Sequence, residues 1–253
     1  MNPLLVCSKS TRKFLPGYKR VRVVTSAPTK DILKEVGTEE NVVAIGGGAV
    51  IDTAKILSKN PIRCYPTTAA GSSSTSWSVY WDGNKKCSLK RMLPSDVILN
   101  GLFVEELSED VIMSTTCDVV SHCLDSMSSI KATKESIEYC EEALQILRND
   151  KSNFGLIKAG DVAGKAIEIA GTNLLHSLSY PLTGNYNISH GIALGYLLPR
   201  LSKFMGFNVD DIISEYKIEL EFNKELVIEE AFKYDKINEF NKEISKEILY
   251  EKL

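Results

Sequence analysis

Asp118, His122, His176 and His190 are the residues of this 253-residue chain whose types and spacing best suit chemistry, and they include all three of its histidines. Asp118 and His122 stand four apart, so a helix over 111–129 turns both to one side. His176 can come from a second helix. His190, fourteen residues later, can come from the turn after Asn185-Tyr186-Asn187. One carboxylate and three imidazoles suit a divalent first-row ion such as Fe2+ or Zn2+, and leave room for a substrate oxygen. A single histidine is more often a hydrogen-bonded core residue, but three in this pattern favour a shared metal.

Two further segments suit anions. Gly46-Gly47-Gly48 follows an apolar run and precedes a helical stretch. Glycines let the backbone approach a phosphate, and the helix N-terminus offers free N–H groups. The alternative is a tight turn without a ligand. The second segment, Thr67 to Ser76, is rich in hydroxyls and backbone donors; its alternative is a flexible linker. Both would lie at the C-terminal ends of parallel strands, where α/β sheets bind ligands.

These residues need elements to position them. Strands are expected at 20–25, 41–45 and 62–66, with helices over Thr29–Val36, closed by Gly37, and Val50–Lys59. Strand, glycine turn, helix, strand is the rhythm of a parallel sheet. From about residue 104, apolar residues recur at helical spacing through 111–123, 137–147, 156–178 and 190–204. The expected fold is a Rossmann-like α/β domain over 1–102, followed by an all-α metal-binding domain over 103–253.

Apolar content of 43 % and charged content of 25 % are ordinary for a globular protein, and a net charge of −3 gives no support to nucleic-acid binding. No apolar run is long enough to span a bilayer, and nothing resembles a signal peptide. The six cysteines contain no C-x-x-C pair, so free thiols in a reducing cytoplasm are expected. Cys117 and Cys123 flank the proposed metal helix; burial as small apolar residues is preferred to thiolate ligation. Residues 209–253 hold 13 acidic and 7 basic residues. Ile237, Phe240, Ile244 and Ile248 follow helical spacing there, which predicts amphipathic helices with a solvated acidic face and raises a homodimer interface as an alternative.

Gly46-Gly47-Gly48-Ala49-Val50-Ile51-Asp52-Thr53-Ala54-Lys55 resembles the GGGSxxDxAK motif of iron-dependent (group III) alcohol dehydrogenases. Pro66-Thr67-Thr68-Ala69-Ala70-Gly71-Ser72 is similar to their P-T-T-A-G-T-G-S loop. Asp118-Val119-Val120-Ser121-His122 resembles the D-A-L-x-H motif, and the run from His176 to Gly191 matches the spacing of the next two metal ligands. Thr75 to Leu89 is most similar to the phosphonoacetaldehyde reductase branch. The resemblance implies NAD(P) on the glycine loop, metal in the helical domain, and a small carbonyl or alcohol substrate in the cleft between them. It implies Asp118, His122, His176 and His190 as ligands. Gly46, Gly47, Gly48 and Asp52 would line the pyrophosphate turn, with Thr67, Thr68 and Ser72 towards the nicotinamide.

The chain departs from the family pattern at several points. Only 20 residues separate Thr25 from Gly46, which is short for the adenosine half. Ser26 stands where NAD-preferring members often carry Asp, so NADP is tolerated better, with Lys30 nearby. Tyr180 replaces a second histidine and reads equally as a packing residue or as a phenol that donates a proton or orders a water. Asn100 replaces Asp, and Asp125 replaces Glu. Lys85, Lys86, Lys90 and Arg91 read first as a solvated hairpin tip after Asp82-Gly83-Asn84, and secondly as a holder for an anionic substrate. The leading expectation is a metal-dependent NAD(P)-linked oxidoreductase. The alternatives are a non-redox enzyme of the same superfold, shared with dehydroquinate synthases, and a non-catalytic metal- or nucleotide-binding relative.

Overall fold

Short apolar runs build the first layer of the computed structural model, which describes residues 2–253. Strands β1 (Leu4–Cys7), β2 (Arg20–Val23), β3 (Val42–Gly46) and β4 (Arg63–Pro66) pair in parallel in the order β2-β1-β3-β4, and a two-residue strand at Asp96–Val97 extends the sheet beyond β4. Side chains alternate between the faces, as the period of a strand requires. Leu4, Val6, Val42 and Ala44 pack towards helix α1 (Gly48–Leu57). Leu5, Cys7, Val43 and Ile45 pack against Phe14, Tyr18 and Phe103 on the other side.

The inner strand β1, between β2 and β3, is absent from the sequence expectations. Four consecutive apolar residues show no alternation, yet such a run suits a strand buried on both faces. The helix expected over Thr29–Val36 is a 3-10 helix, Lys30–Glu35, followed by Gly37 at φ 66°. Strand order reverses between β1 and β3, so the crevice favoured for ligands lies beyond Cys7 and Gly46. Strands β5 (Trp77–Asp82) and β6 (Lys85–Lys90) form an antiparallel hairpin that turns at Gly83-Asn84.

The remaining elements are helical: α2 (Glu109–Met127), α3 (Lys134–Asn149), α4 (Asn153–Ala170), α5 (Leu174–Tyr186) and α6 (His190–Met205), then the shorter α7 (Asp210–Ile213), α8 (Lys224–Ala231) and α9 (Lys246–Lys252). Ser108 caps α2 by accepting from Val111 N, and Glu109 and Asp110 complement its dipole. Helix α2 is central and packs on α3, α4, α5 and α6. Among the described residues, no helix is long and apolar enough to cross a membrane, and all six cysteines are free.

The acidic tail holds the helices α8 and α9, but the stretch between them that carries Ile237, Phe240 and Ile244 is not α-helical as their spacing suggests. Asp235–Glu239 is a 3-10 turn, separated from α9 by extended backbone. Here Ile130 N donates to Glu239 O and Asn241 N to Ser128 O, so pairing with a distant segment overrides the local helical spacing. The apolar residues of the tail are spent inside the chain, where Ile237, Phe240 and Leu249 join the helical core.

Candidate active site

One stripe of α2 carries three acid–base residues: Asp118, His122 one turn on, and Asp125 two turns on. All three are buried. Asp118 Oδ1 lies 3.4 Å from His122 Nε2, 3.5 Å from His176 Nε2 and 3.8 Å from His190 Nε2. Ligand atoms of Asp118, His176 and His190 all fall within 4.8 Å of one another. His122 stands outside that trio; its ring stacks on His176 at 4.8 Å between centroids and 11° between planes. His190 is the first residue of α6, where the sequence reading had it in a turn.

The imidazoles are held by partners behind them. Asp125 Oδ2 accepts from His176 Nδ1 at 2.8 Å, which leaves Nε2 facing Asp118. The same carboxyl group accepts from the backbone N–H groups of Asn173, Leu175 and His176, so α2 caps the start of α5. Ser179 Oγ donates to His176 O and lies 3.2 Å from His190 Nδ1. Its hydrogen is thereby used, so His190 Nδ1–H donates to it, and the Nε2 lone pair faces Asp118 with Lys86 Nζ 3.4 Å away.

Burial opposes ionisation of Asp118, but the three imidazoles hold its carboxyl well below the usual range. Burial pushes His122 down to about 4, and burial followed by Lys86 pushes His190 well below its ordinary value. Burial also works against His176, but the carboxylates of Asp118 and Asp125 beside it raise it to about 9. Asp118 Oδ1, His122 Nδ1 and His176 Nε2 are buried without a hydrogen-bond partner. Two of these orphaned atoms face each other across 3.5 Å. A carboxylate oxygen and imidazole nitrogens left unsatisfied together fit a divalent cation.

These residues open into a cleft of about 710 Å³, whose far wall is made by the anion-friendly segments. Gly48, Asp52 and Ser72 line it; Gly46, Gly47, Thr67 and Thr68 do not, and lie behind. Gly47 packs on Thr68, where a Cβ would come within 2.9 Å of Thr68 Oγ1. No side chain caps α1, so its first N–H groups remain available. Ser26 is exposed, next to Ala27 and Pro28, which do line the cleft. Lys30 pairs with Asp82 at 2.7 Å and is thus engaged on the hairpin. Asn100 caps the 3-10 turn Gly101–Phe103, away from the cleft lining.

The hydroxyl-rich loop is pinned on every side. Lys55, the last residue of the glycine motif, is buried; its Nζ donates to Ser72 O at 3.0 Å, to Thr75 O at 3.3 Å and to Trp77 O. Ser72 Oγ donates to Asp52 Oδ1 at 2.6 Å. Ser74 donates to Asp161 and Ser76 to Glu168, both on α4. Gly71 adopts φ 69° and lies against Gly164 and His122, so the loop passes close to the histidine cluster. The sequence reading left Lys55 without a role, although its place in the motif was the available signal.

Tyr180 forms the wall between the histidines and the tail. Its ring lies 6.0 Å from His190 and 4.9 Å from Tyr234. Burial raises the phenol, but Lys236, Lys86 and His176 together pull it down to about 7. Of the lysine cluster read as a solvated tip, Lys85 is exposed, whereas Lys86 and Lys90 line the cleft.

Residues 112–250 match the family described as Fe-containing alcohol dehydrogenase family, C-terminal. A phosphonoacetaldehyde reductase of Streptomyces viridochromogenes is 28 % identical over 206 residues, covering 64 % of this chain and 52 % of its own length. A 4-hydroxybutyrate dehydrogenase of Clostridium kluyveri is 26 % identical over 202 residues, covering 64 % of this chain and 54 % of its own. The chain spans about half the length of these relatives. An iron-containing alcohol dehydrogenase from Thermotoga maritima superposes with a TM-score of 0.82 at 21 % identity, covering 99 % of this chain and 90 % of that one; this likeness shows the fold.

Proposed function

Because the chain belongs to the iron-containing alcohol dehydrogenase family, we propose that it is a metal-dependent, NAD(P)-linked oxidoreductase that interconverts a small aldehyde or ketone with its alcohol. The observation that carries this reading is the pair of orphaned buried atoms, Asp118 Oδ1 and His176 Nε2, in a cleft that also receives the N-terminus of α1. Asp118, His176 and His190 would hold Fe2+ or Zn2+, with His122 as the fourth ligand. A bound divalent ion supplies Lewis acidity towards a carbonyl oxygen, and a bound nicotinamide supplies the hydride.

The chain's own residues do the rest. Residues 1–102 carry the cofactor and 103–253 the metal ligands. Free N–H groups at Gly48 bind phosphate oxygens, with Gly46, Gly47, Asp52, Thr67, Thr68 and Ser72, whose hydroxyl is held by Asp52, shaping the turn behind them. Asp125 and Ser179 orient His176 and His190. The Tyr180 phenol, beside both imidazoles, gives a proton to the substrate oxygen in reduction and takes it back in oxidation.

NADP is the preferred dinucleotide on this reading, because an exposed Ser26 presents no carboxylate to a 2′-phosphate. The engaged Lys30 adds nothing to that preference. In a fluorescence titration of the metal-loaded protein, NADPH will bind in the micromolar range and more tightly than NADH, and Ser26→Asp will reverse the order. NADPH oxidation with short aldehydes, dependent on added metal, tests the activity itself. Absence of binding by either nucleotide would overturn the oxidoreductase reading.

A further inference from the structure

Two ammonium groups reach one end of the cleft without a carboxylate partner among the described residues. Lys86, on β6, has its Nζ 3.4 Å from His190 Nε2 and 4.4 Å from the centre of the Tyr180 ring. Lys236, in the turn Asp235–Glu239, donates from Nζ to Thr172 Oγ1 at 3.2 Å. Of the other lysines lining the cleft, Lys131 is paired with Glu239 and Lys90 lies over the Trp77 ring, 5.8 Å from its centroid; Lys55 and Lys30 nearby are paired with Asp52 and Asp82. Lys86 and Lys236 come from segments 150 residues apart, yet the charges of both lower the Tyr180 phenol. Both line the same cleft as His176 and His190.

Cations brought together in a partly buried cleft repel each other and lose hydration, so an anion placed between them is bound by charge-assisted hydrogen bonds. The phosphates of a dinucleotide already have donors at the opposite wall, in the uncapped N–H groups where Gly48 opens α1. We propose that Lys86 and Lys236 bind the distal acid group of the substrate, so that the carbonyl compound reduced in this cleft carries a carboxylate or phosphonate. This rests on the oxidoreductase reading for the identity of the reacting end, while the anion site stands on the lysine geometry alone.

The test uses the full, metal-loaded chain and matched probes: butanal against 4-oxobutanoate, with 2-oxoethylphosphonate as the phosphonate arm. Wild type is expected to favour an anionic probe over butanal in kcat/KM by about tenfold or more. Lys236→Gln should lower that ratio by about tenfold, equivalent to about 1.4 kcal/mol, and Lys236→Arg should restore it. Preference of the wild type for butanal, or a ratio unchanged in Lys236→Gln, would overturn the proposal. So would a Lys236→Gln variant that weakens NADPH binding instead, because the cations would then serve the cofactor. If no aldehyde is turned over, the oxidoreductase reading fails separately. Trp77 and Trp81, which both line the cleft, then report on the anion site through quenching by 4-hydroxybutanoate. Saturable quenching lost in Lys236→Gln supports the site, and absence of saturable quenching overturns it.

Discussion

Asp125→Asn will lower the stability of the metal-free protein by about 3–5 kcal/mol and weaken metal binding about 10–100-fold. Asp125 is fully buried and only accepts: Oδ1 from Leu175 N, Oδ2 from Asn173 N, His176 N and His176 Nδ1. An amide puts a donor at one of these two positions, so a buried N–H is left facing another N–H whichever way the side chain turns. The start of α5 loses its cap, and His176 loses the bond that aims Nε2 at Asp118. Denaturant unfolding of apo protein measures the first effect. Calorimetric titration with Zn2+, well below the melting temperature, measures the second. A variant as stable as wild type would show that α5 is capped by other means.

Gly160→Ala is the second large effect, and it reaches the cofactor wall from α4. A Cβ on Gly160 would lie 2.4 Å from Ala69 O and 2.7 Å from Ala69 Cα. Backbone rather than a flexible side chain occupies that space, so either α4 or the 67–76 loop must move. The loop is tied to Lys55, Asp52, Asp161 and Glu168 and cannot shift alone without breaking those bonds. Overpacking of this kind costs about 1–3 kcal/mol, or roughly 2–4 °C of Tm per kcal/mol in a chain of this length. NADPH affinity should fall with it, because Ser72 and the turn beside it are displaced. Thermal melting and nucleotide titration check the two effects together. An unchanged Tm would show that α4 and the loop are less closely seated than the geometry gives.

Legibility in the sequence followed how local each feature is. Asp118 and His122 were readable from their spacing, because four residues on a helix is itself a geometric statement. His176 and His190 could be grouped with them only because the chain spends all three of its histidines in one pattern, which the family resemblance reinforced; their approach itself depends on how α5 and α6 pack on α2. Asp125 looked like a departure from the family pattern, since its partners lie about fifty residues away in sequence and the capping contact exists only after α2 and α5 meet. β1 escaped notice because its four apolar residues carry no period. The hydroxyl loop could be read as a linker, and only its contacts with α1 and α4 show it held. Lys236 was hidden in a tail read as a solvated acidic face, whereas the turn that carries it is drawn onto the cleft by pairing between 239–241 and 128–130.

Metal content per chain decides whether Asp118, His122, His176 and His190 form a metal site. Metal-free protein would be equilibrated anaerobically with Fe2+, freed of unbound ion and analysed for iron, alongside His176→Ala. About one ion is expected per wild-type chain and almost none in the variant, since removing one imidazole opens the site that Asp118 and His190 share with it. A wild type that retains no iron and no Zn2+, or a His176→Ala chain that retains as much as the wild type, would contradict the metal site.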